Sequence, residues 1–338
     1  MNKTKKECYD LALELQQLQP WNYFESDSPI FIKMPNDTDV YVQILGSDQQ
    51  IYGIAFFEGE EGLGDLLDMI QGEEKTENEL TYQMFNTSFI SLYYDAFDDL
   101  ANPVYQDCVE KEFKDKPGRV PYFIELEKAY VPYKPKIKTF RRIKEYLEVL
   151  KLIILKVKDE GLNYDSDEIF SVFVEDDYKE MGIDSLDDTM LPFPHMSLRY
   201  IDISCDQKRL QKCSKKKKSK DMLILDAFYS PFTVPLDDHT RETVPYFLNL
   251  VSEKQEGMID SKILSPLDDR EKVVQNMLFD AIEKYGIPRG VTARRDDLIE
   301  YITPILDELD IELYDMEWDE IDEIYEEIAE GIKSISFE

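Results

Sequence analysis

AFFEGEEGLGDLLDMI, residues 55–70, sets an apolar run, a loop with Gly59, Gly62 and Gly64, and a periodic helical segment in direct succession. Strand, glycine loop, helix is also the order of a phosphate-binding loop, so this stretch decides between a nucleotide-binding α/β fold and another class. A phosphate loop aims backbone N–H groups and a lysine at the anion from a helix start. Here the loop carries Glu58, Glu60 and Glu61, with no Lys or Ser/Thr at the positions that pattern requires. Each carboxylate beside a phosphate adds about 1 kcal/mol of repulsion at ~4 Å even in water. The glycine order, Gly59-Glu-Glu-Gly62-Leu-Gly64, also fails the dinucleotide pattern G-x-G-x-x-G. The structural reading is therefore preferred: glycines permit positive φ in a tight connection, and acids ahead of a helix complement its positive end.

Upstream, PIFIKM and DVYVQIL are split by the turn cluster PNDTD, and LGSDQQ precedes IYGIAFF. Three short strands joined by tight turns read as an antiparallel meander. Before them, Lys3–Leu18 reads as an amphipathic helix with Tyr9, Ala12, Leu15 and Leu18 on one stripe and Pro20 as its stop. Trp21, Tyr23 and Phe24 are expected to anchor that helix on the sheet. SFISLYYDAF fits strand or helix. The clearest helix of the first half spans about 136–158, with Phe140, Ile143, Leu147, Leu150 and Ile154 widened by Val149, Ile153 and Val157. Its start is basic, from Lys134 to Lys144, which fits an anionic ligand or, preferably, balances the acidic remainder. EIFSVFVEDD, MSLRYIDISC and DMLILDAFY read as strands, the last two bracketing the basic turn KRLQKCSKKKKSK. Lys215–Lys218 match a nuclear-localisation or nucleic-acid patch by pattern alone; a solvated loop tip is the plainer reading.

The last hundred residues give a hairpin, PYFLNLVSE and MIDSKILSP around KQEG, then helix DDREKVVQNMLFDAIEKYG, strand GVTAR, helix RDDLIEYITPILDELD, strand IELYDME and closing helix DEIDEIYEEIAEGI. Asp268 or Asp269 caps the first helix and Gly286 ends it. Pro304 inside the second demands a kink or a second start capped by Thr303. The order is β-β-α-β-α-β-α, and its two β-α-β steps call for parallel pairing. The fold class is α+β: an N-terminal antiparallel meander sheet with flanking helices over 1–235, and an acidic C-terminal mixed α/β domain over 236–338.

The 338 residues carry 39 Lys+Arg and 72 Asp+Glu, a net charge of −33. The imbalance is concentrated late: Asp296–Glu330 holds 16 acids and no Lys or Arg. Such a field repels nucleic-acid backbones and anionic lipid and attracts basic protein surfaces. With 43% hydrophobic residues the chain still builds real cores, so it is no disordered acidic tail. Cys8, Cys108, Cys205 and Cys213 fit no zinc spacing and read as reduced thiols in a cytoplasm. No signal peptide or membrane-spanning run is legible.

The C-terminal order resembles part of a ribonuclease-H-like domain, whose catalysis needs carboxylates at fixed strand positions to hold two metal ions. The hairpin strand YFLNLVSE offers Asn249 and Ser252 but no central aspartate, and in GIPRGVTARRDDL Arg294 and Arg295 stand just before Asp296. Asp226, Asp296 and Glu330 assemble an acid triad on paper, a cheap coincidence among 72 acids. His195 and His239 sit in dissimilar contexts and pair with no nucleophile, and no G-x-S-x-G or calcium loop occurs. No catalytic residue, cofactor or metal is assigned.

LQPWNYFESDSPIFIKMPNDTDVYVQILGSDQQIYGIAFFEGEEGLGDLL resembles the start of uncharacterised bacterial two-domain proteins of unknown function, in which a Trp after a helix precedes a strand meander ending in a G-x-x-G-L turn. RETVPYFLNLVSEKQEGMIDSKILSP followed by YGIPRGVTARRDDL is similar to the second domain that often accompanies it. The resemblance implies the two-domain fold and brings no activity and no functional residues. The expected function is thus a non-enzymatic cytoplasmic interaction module whose acidic C-terminal surface meets a basic protein partner, without direct nucleic-acid or membrane binding. The alternatives are a metal-dependent nuclease or hydrolase, and an inhibitor that mimics nucleic acid.

Overall fold

The computed structural model of the chain describes residues 2–70, 77–161, 168–194, 203–230, 232–235 and 241–314. The protein is α+β and divides into two compact units. The first takes Met1–Lys75, Asn86–Lys128 and Pro132–Arg199; the second takes Thr76–Phe85, Ala129–Val131 and Tyr200–Glu338.

In the first unit, α1 (Lys3–Leu18) leads into β1 (Ile30–Lys33), β2 (Asp39–Leu45) and β3 (Gly53–Glu58), and α2 (Gly59–Ile70) follows without a gap. Next come β4 (Phe89–Ala96), α4 (Pro103–Cys108), β5 (Arg119–Leu126), α5 (Ile137–Glu160), β6 (Glu168–Val174), α6 (Tyr178–Met181) and β7 (Leu186–Pro192). The sheet order is β5-β4-β3-β2-β1-β6-β7. The expected three-strand meander therefore runs to five antiparallel strands, and SFISLYYDAF, ambiguous by period, is strand β4. α5 carries the chain from β5 to β6, which pairs parallel with β1, the pairing a long helical crossover allows.

The glycine stretch positions this architecture. Gly59 adopts φ +68°, the left-handed turn that takes β3 into α2. Gly62 has a different job: a Cβ there would lie 2.8 Å from the Phe57 carbonyl carbon, so its missing side chain lets α2 start directly on β3. Phe56 and Phe57 point to opposite faces of the sheet. Phe56 meets Tyr146 of α5 at 5.8 Å between ring centres, while Phe57 lies against Gly62 of α2. β3 is accordingly buried from Gly53 to Phe57. The expected stripe of α5 is fully buried, from Phe140 through Val157. α1 packs along α5, with the Cys8 thiol donating to the Phe140 carbonyl at 3.2 Å. Trp21 stacks edge-on to Tyr52 and Tyr94, anchoring the end of α1 as its position after Pro20 predicts. Three cations at the basic start of α5 are internally paired: Lys134 with Glu110, Lys144 with Glu7, and Arg142 with Glu58.

The second unit contains α3 (Glu77–Phe85), α7 (Gln207–Cys213), β8 (Met222–Tyr229), the two-residue strands β9 (Val234–Pro235) and β10 (Glu242–Thr243), β11 (Tyr246–Ser252), β12 (Gly257–Leu264), α8 (Arg270–Tyr285), β13 (Gly290–Ala293), α9 (Asp296–Leu309) and β14 (Glu312–Tyr314). Its main sheet has the order β12-β11-β8-β13-β14. β11 is antiparallel to both neighbours, whereas β8-β13 and β13-β14 are parallel. The central strand is thus DMLILDAFY, upstream of the hairpin that opens the expected second domain. It separates β11 from β13, so the first β-α-β step pairs its second strand with β8 and only the second step, around α9, joins adjacent strands.

KRLQKC, expected as a turn, is helix α7: Asp206 caps it by accepting from the Lys208 and Arg209 amides, and Leu210 and Cys213 are buried. Asp269 caps α8, and Pro304 lies inside an unbroken α9, where the Thr303 hydroxyl donates to the Ile299 carbonyl. The expected strand MSLRYIDISC (196–205) lies outside the described residues over 196–202, and the closing helix does so throughout 319–332. All four cysteines are free thiols, and no helix among the described residues is long and apolar enough to cross a membrane.

Gly62→Ala tests the α2 junction. Alanine normally favours a helix by up to about 1 kcal/mol over glycine, but here its methyl meets backbone that cannot rotate away. A loss of about 1–3 kcal/mol in denaturant unfolding is expected, as for other overpacking changes; unchanged or raised stability would contradict the close approach.

Candidate functional site

β8 places Asp226 at the middle of the second sheet, opposite Asn249 of β11 in the antiparallel ladder. The residue is 2% exposed. Burying a lone carboxylate is costly unless it is paired and hydrogen-bonded. β13 solves this: immediately after its last residue, Ala293, Arg294 turns back over the sheet. Its Nε donates to Asp226 Oδ1 at 3.2 Å and its Nη2 to Oδ2 at 3.1 Å. The fork geometry matches a guanidinium to a carboxylate two bonds at a time. Arg295 adds a second cation, with Nε 3.8 Å from Oδ1 and a hydrogen bond to the Ala227 carbonyl. Both oxygens of Asp226 are therefore engaged by guanidinium groups. Asn249 is likewise used within the sheet, its Oδ1 accepting from the Ser261 hydroxyl at 2.8 Å.

A second buried cluster lies at the start of α9. The Tyr82 hydroxyl, from α3, sits 2.8 and 2.9 Å from the two Asp297 carboxylate oxygens and donates to them. That leaves the Tyr246 hydroxyl, 2.9 Å away, to donate to Tyr82. The Leu298 amide donates to Asp297 Oδ1 at 3.0 Å. Arg270 donates to the Tyr229 hydroxyl and lies 4.2 Å from the centre of the Tyr246 ring. Arg295 covers the Tyr82 ring at 4.3 Å, linking this cluster to Asp226. Burial raises the Asp297 carboxyl above the ordinary aspartate value, against the hydrogen bond from Tyr82 and the charge of Arg270. Burial also holds Tyr82 and Tyr246 well above the ordinary tyrosine value, so both stay protonated donors.

The acids singled out from sequence take different places. Asp226 is closed by arginine; Asp296, the first residue of α9, is exposed; Glu330 lies outside the described residues, as do His195 and His239. No group of three His, Cys, Asp or Glu among the described residues is arranged to hold a metal ion. In the first unit the glycine stretch borders a cavity of about 180 Å³, lined in part by Glu58, Asp65, Glu125 and Arg142. Its acids are occupied by neighbours. Glu58 accepts from Tyr146 at 2.7 Å and pairs with Arg142; Asp65 accepts from the Ser88 amide and meets Lys128 at 3.3 Å; Glu125 accepts from Thr139. No lysine-and-amide cradle for phosphate forms here.

Sequence reading missed the roles of Arg294 and Tyr82. Arg294 was visible as a cation directly after a strand. Recognising its partner required placing DMLILDAFY beside GVTA, and that register is a long-range property.

Two measurements probe these clusters. Arg294→Ala leaves Asp226 buried beside the more distant Arg295, and breaking one side of such a pair costs about 3–5 kcal/mol. Unfolding of R294A, D226A and the double variant should show strong non-additivity; simple additivity would contradict the pairing. For Asp297, the folded pKa is raised, so the native state holds the proton more tightly than the unfolded chain. Its contribution is full below the ordinary aspartate value and is lost as pH rises through the higher folded value. Relative to Asp297→Asn, the wild-type chain should lose stability across that rise; a gain would reverse the sign.

Residues 6–173 match the model of one domain of unknown function (DUF7309), and residues 208–329 match that of another (DUF6930). No curated protein and no solved structure gives a significant match. The chain thus joins two regions, each similar to a domain of unknown function.

Proposed function

We propose that the protein is a non-enzymatic cytoplasmic interaction module: its second unit uses a ribonuclease-H-like sheet as a scaffold, and its acidic surface takes a basic protein partner. The strand order β12-β11-β8-β13-β14, with β11 alone reversed and helices following β12 and β13, supports the likeness of arrangement. The observation that carries the non-enzymatic reading is the guanidinium fork on Asp226. Metal-dependent hydrolysis in such a sheet draws on a free strand carboxylate; here a fixed cation already neutralises it. The acidic surface is supported by Asp296, Asp307, Glu308, Asp310 and Glu312, all exposed along α9 and into β14. The four free thiols fit a reducing compartment.

The test pairs two assays on the full chain. Calorimetric titration with a lysine- and arginine-rich peptide should show binding that weakens steeply as salt rises. Charge removal by D307N/E308Q should weaken it further, at unchanged melting temperature. Incubation with single- and double-stranded nucleic acid in Mg²⁺ or Mn²⁺ should give no cleavage. Cleavage that disappears in D226N would establish the nuclease alternative. Absence of peptide binding at low salt would overturn the acidic-surface reading.

A further inference from the structure

The lysine run 215–218 is neither a hairpin tip nor a free loop. Ser219 N donates to the Ile287 carbonyl at 2.6 Å and Ile287 N to the Lys217 carbonyl at 3.0 Å, a short parallel bridge to the end of α8. Gly286, at φ +95°, makes this approach feasible, since a Cβ would fall 2.6 Å from the Lys217 oxygen. Asp221, 3% exposed, ties in a third segment: its carboxylate accepts from the Ser252 hydroxyl at 2.7 Å and the Lys254 amide at 3.0 Å. Three backbone segments are thus fixed around one open basin of about 600 Å³, presenting Lys216, Lys217, Lys218, Lys220, Lys254 and Lys284.

Half of these cations have local work. Lys216 reaches the Glu283 carbonyl at the end of α8, Lys218 pairs with Asp310 at 2.7 Å, and Lys284 lies over the Tyr285 ring. Lys217, Lys220 and Lys254 have no carboxylate within ion-pairing distance among the described residues, and all three are exposed. Among the described residues three ammonium groups thus have no carboxylate partner, two on the 217–220 segment and one on the turn between β11 and β12, and all three residues line one concavity. Glu283 lines the basin and Asp310 flanks it through Lys218, so acids bound its positive footprint.

We infer that this basin is a binding site for a compact polyphosphate group, carried by a small molecule. The bounded footprint excludes a long nucleic-acid backbone, which needs a continuous basic track. Lysines suit the role as compact point charges that accept several phosphate orientations. The basin's lining does not include Asp226, and of the proposed partner surface only Asp310 touches it, through Lys218.

The test is calorimetric titration of the full chain with inorganic tripolyphosphate and, separately, with ATP. Saturable one-to-one binding is expected, with K217A/K220A/K254A weakening it by about tenfold or more and raised salt weakening the wild-type chain. Among the described residues the three side chains have no ion-pair partner, so circular dichroism and melting temperature of the variant should stay unchanged. Tighter binding of ATP identifies a nucleotide as the phosphate source, and equal affinities identify the phosphate chain alone; both support the site. No saturable binding, equal affinity in the triple variant, or binding only to an RNA oligonucleotide would overturn it.

Discussion

The second unit depends on one charged pair. Asp226 lies in the centre of the central strand, where an apolar side chain would be ordinary, and its burial is tolerable only because Arg294 forks onto both oxygens. That requirement fixes which strand stands beside β8 and in what register, since Arg294 must follow β13 at the level of Asp226. Arg295, pulled to the same place, then covers Tyr82 and connects to Asp297 and Arg270. Apolar burial supplies most of the folding drive; the ionic centre restricts which sheet arrangement that burial selects.

The first unit has a steric constraint in the corresponding place. β3, buried from Gly53 to Phe57, ends at a junction where glycine is required twice for different reasons. Gly59 supplies a backbone angle and Gly62 supplies absence of volume. Around that junction Lys128 pairs with Asp65 of α2, Arg142 of α5 with Glu58 of β3, and the Thr139 hydroxyl of α5 donates to Glu125 of β5. The result is a stretch that imitates the order of a nucleotide-binding motif while its charges serve packing.

Local pattern made much of this legible. α1, the first three strands, α5, the late hairpin, α8 and α9 each carry a clean period or cap and sit where the sequence places them. Elements whose identity depends on partners were not legible. β4 is buried on both faces over Phe89–Leu92, which removes the apolar–polar alternation that marks a strand. α7 is too short and lysine-rich for periodicity to outweigh its turn-like composition, and its Asp206 cap was the overlooked signal. Of the candidate acids, Asp226 proved to be the structurally central one. Its neutralisation by Arg294 depends on two strands more than sixty residues apart, which no spacing rule reaches.

The interleaving of the units has a consequence for how the chain is made and cut. Thr76–Phe85 and Ala129–Val131 belong to the second unit although the surrounding sequence builds the first. The Ala129 amide donates to the Phe85 carbonyl, the Val244 amide to the Ala129 carbonyl and the Val131 amide to the Glu242 carbonyl. Tyr82, one of the buried donors to Asp297, is synthesised more than two hundred residues before its acceptor. On the ribosome the first sheet can gather its strands early, while α3 waits for nearly the whole remainder to emerge. No single break in the chain releases either unit with all of its parts. Proteolytic fragments divided near residue 200 would each lack, or carry as an exposed apolar burden, a piece that the other needs.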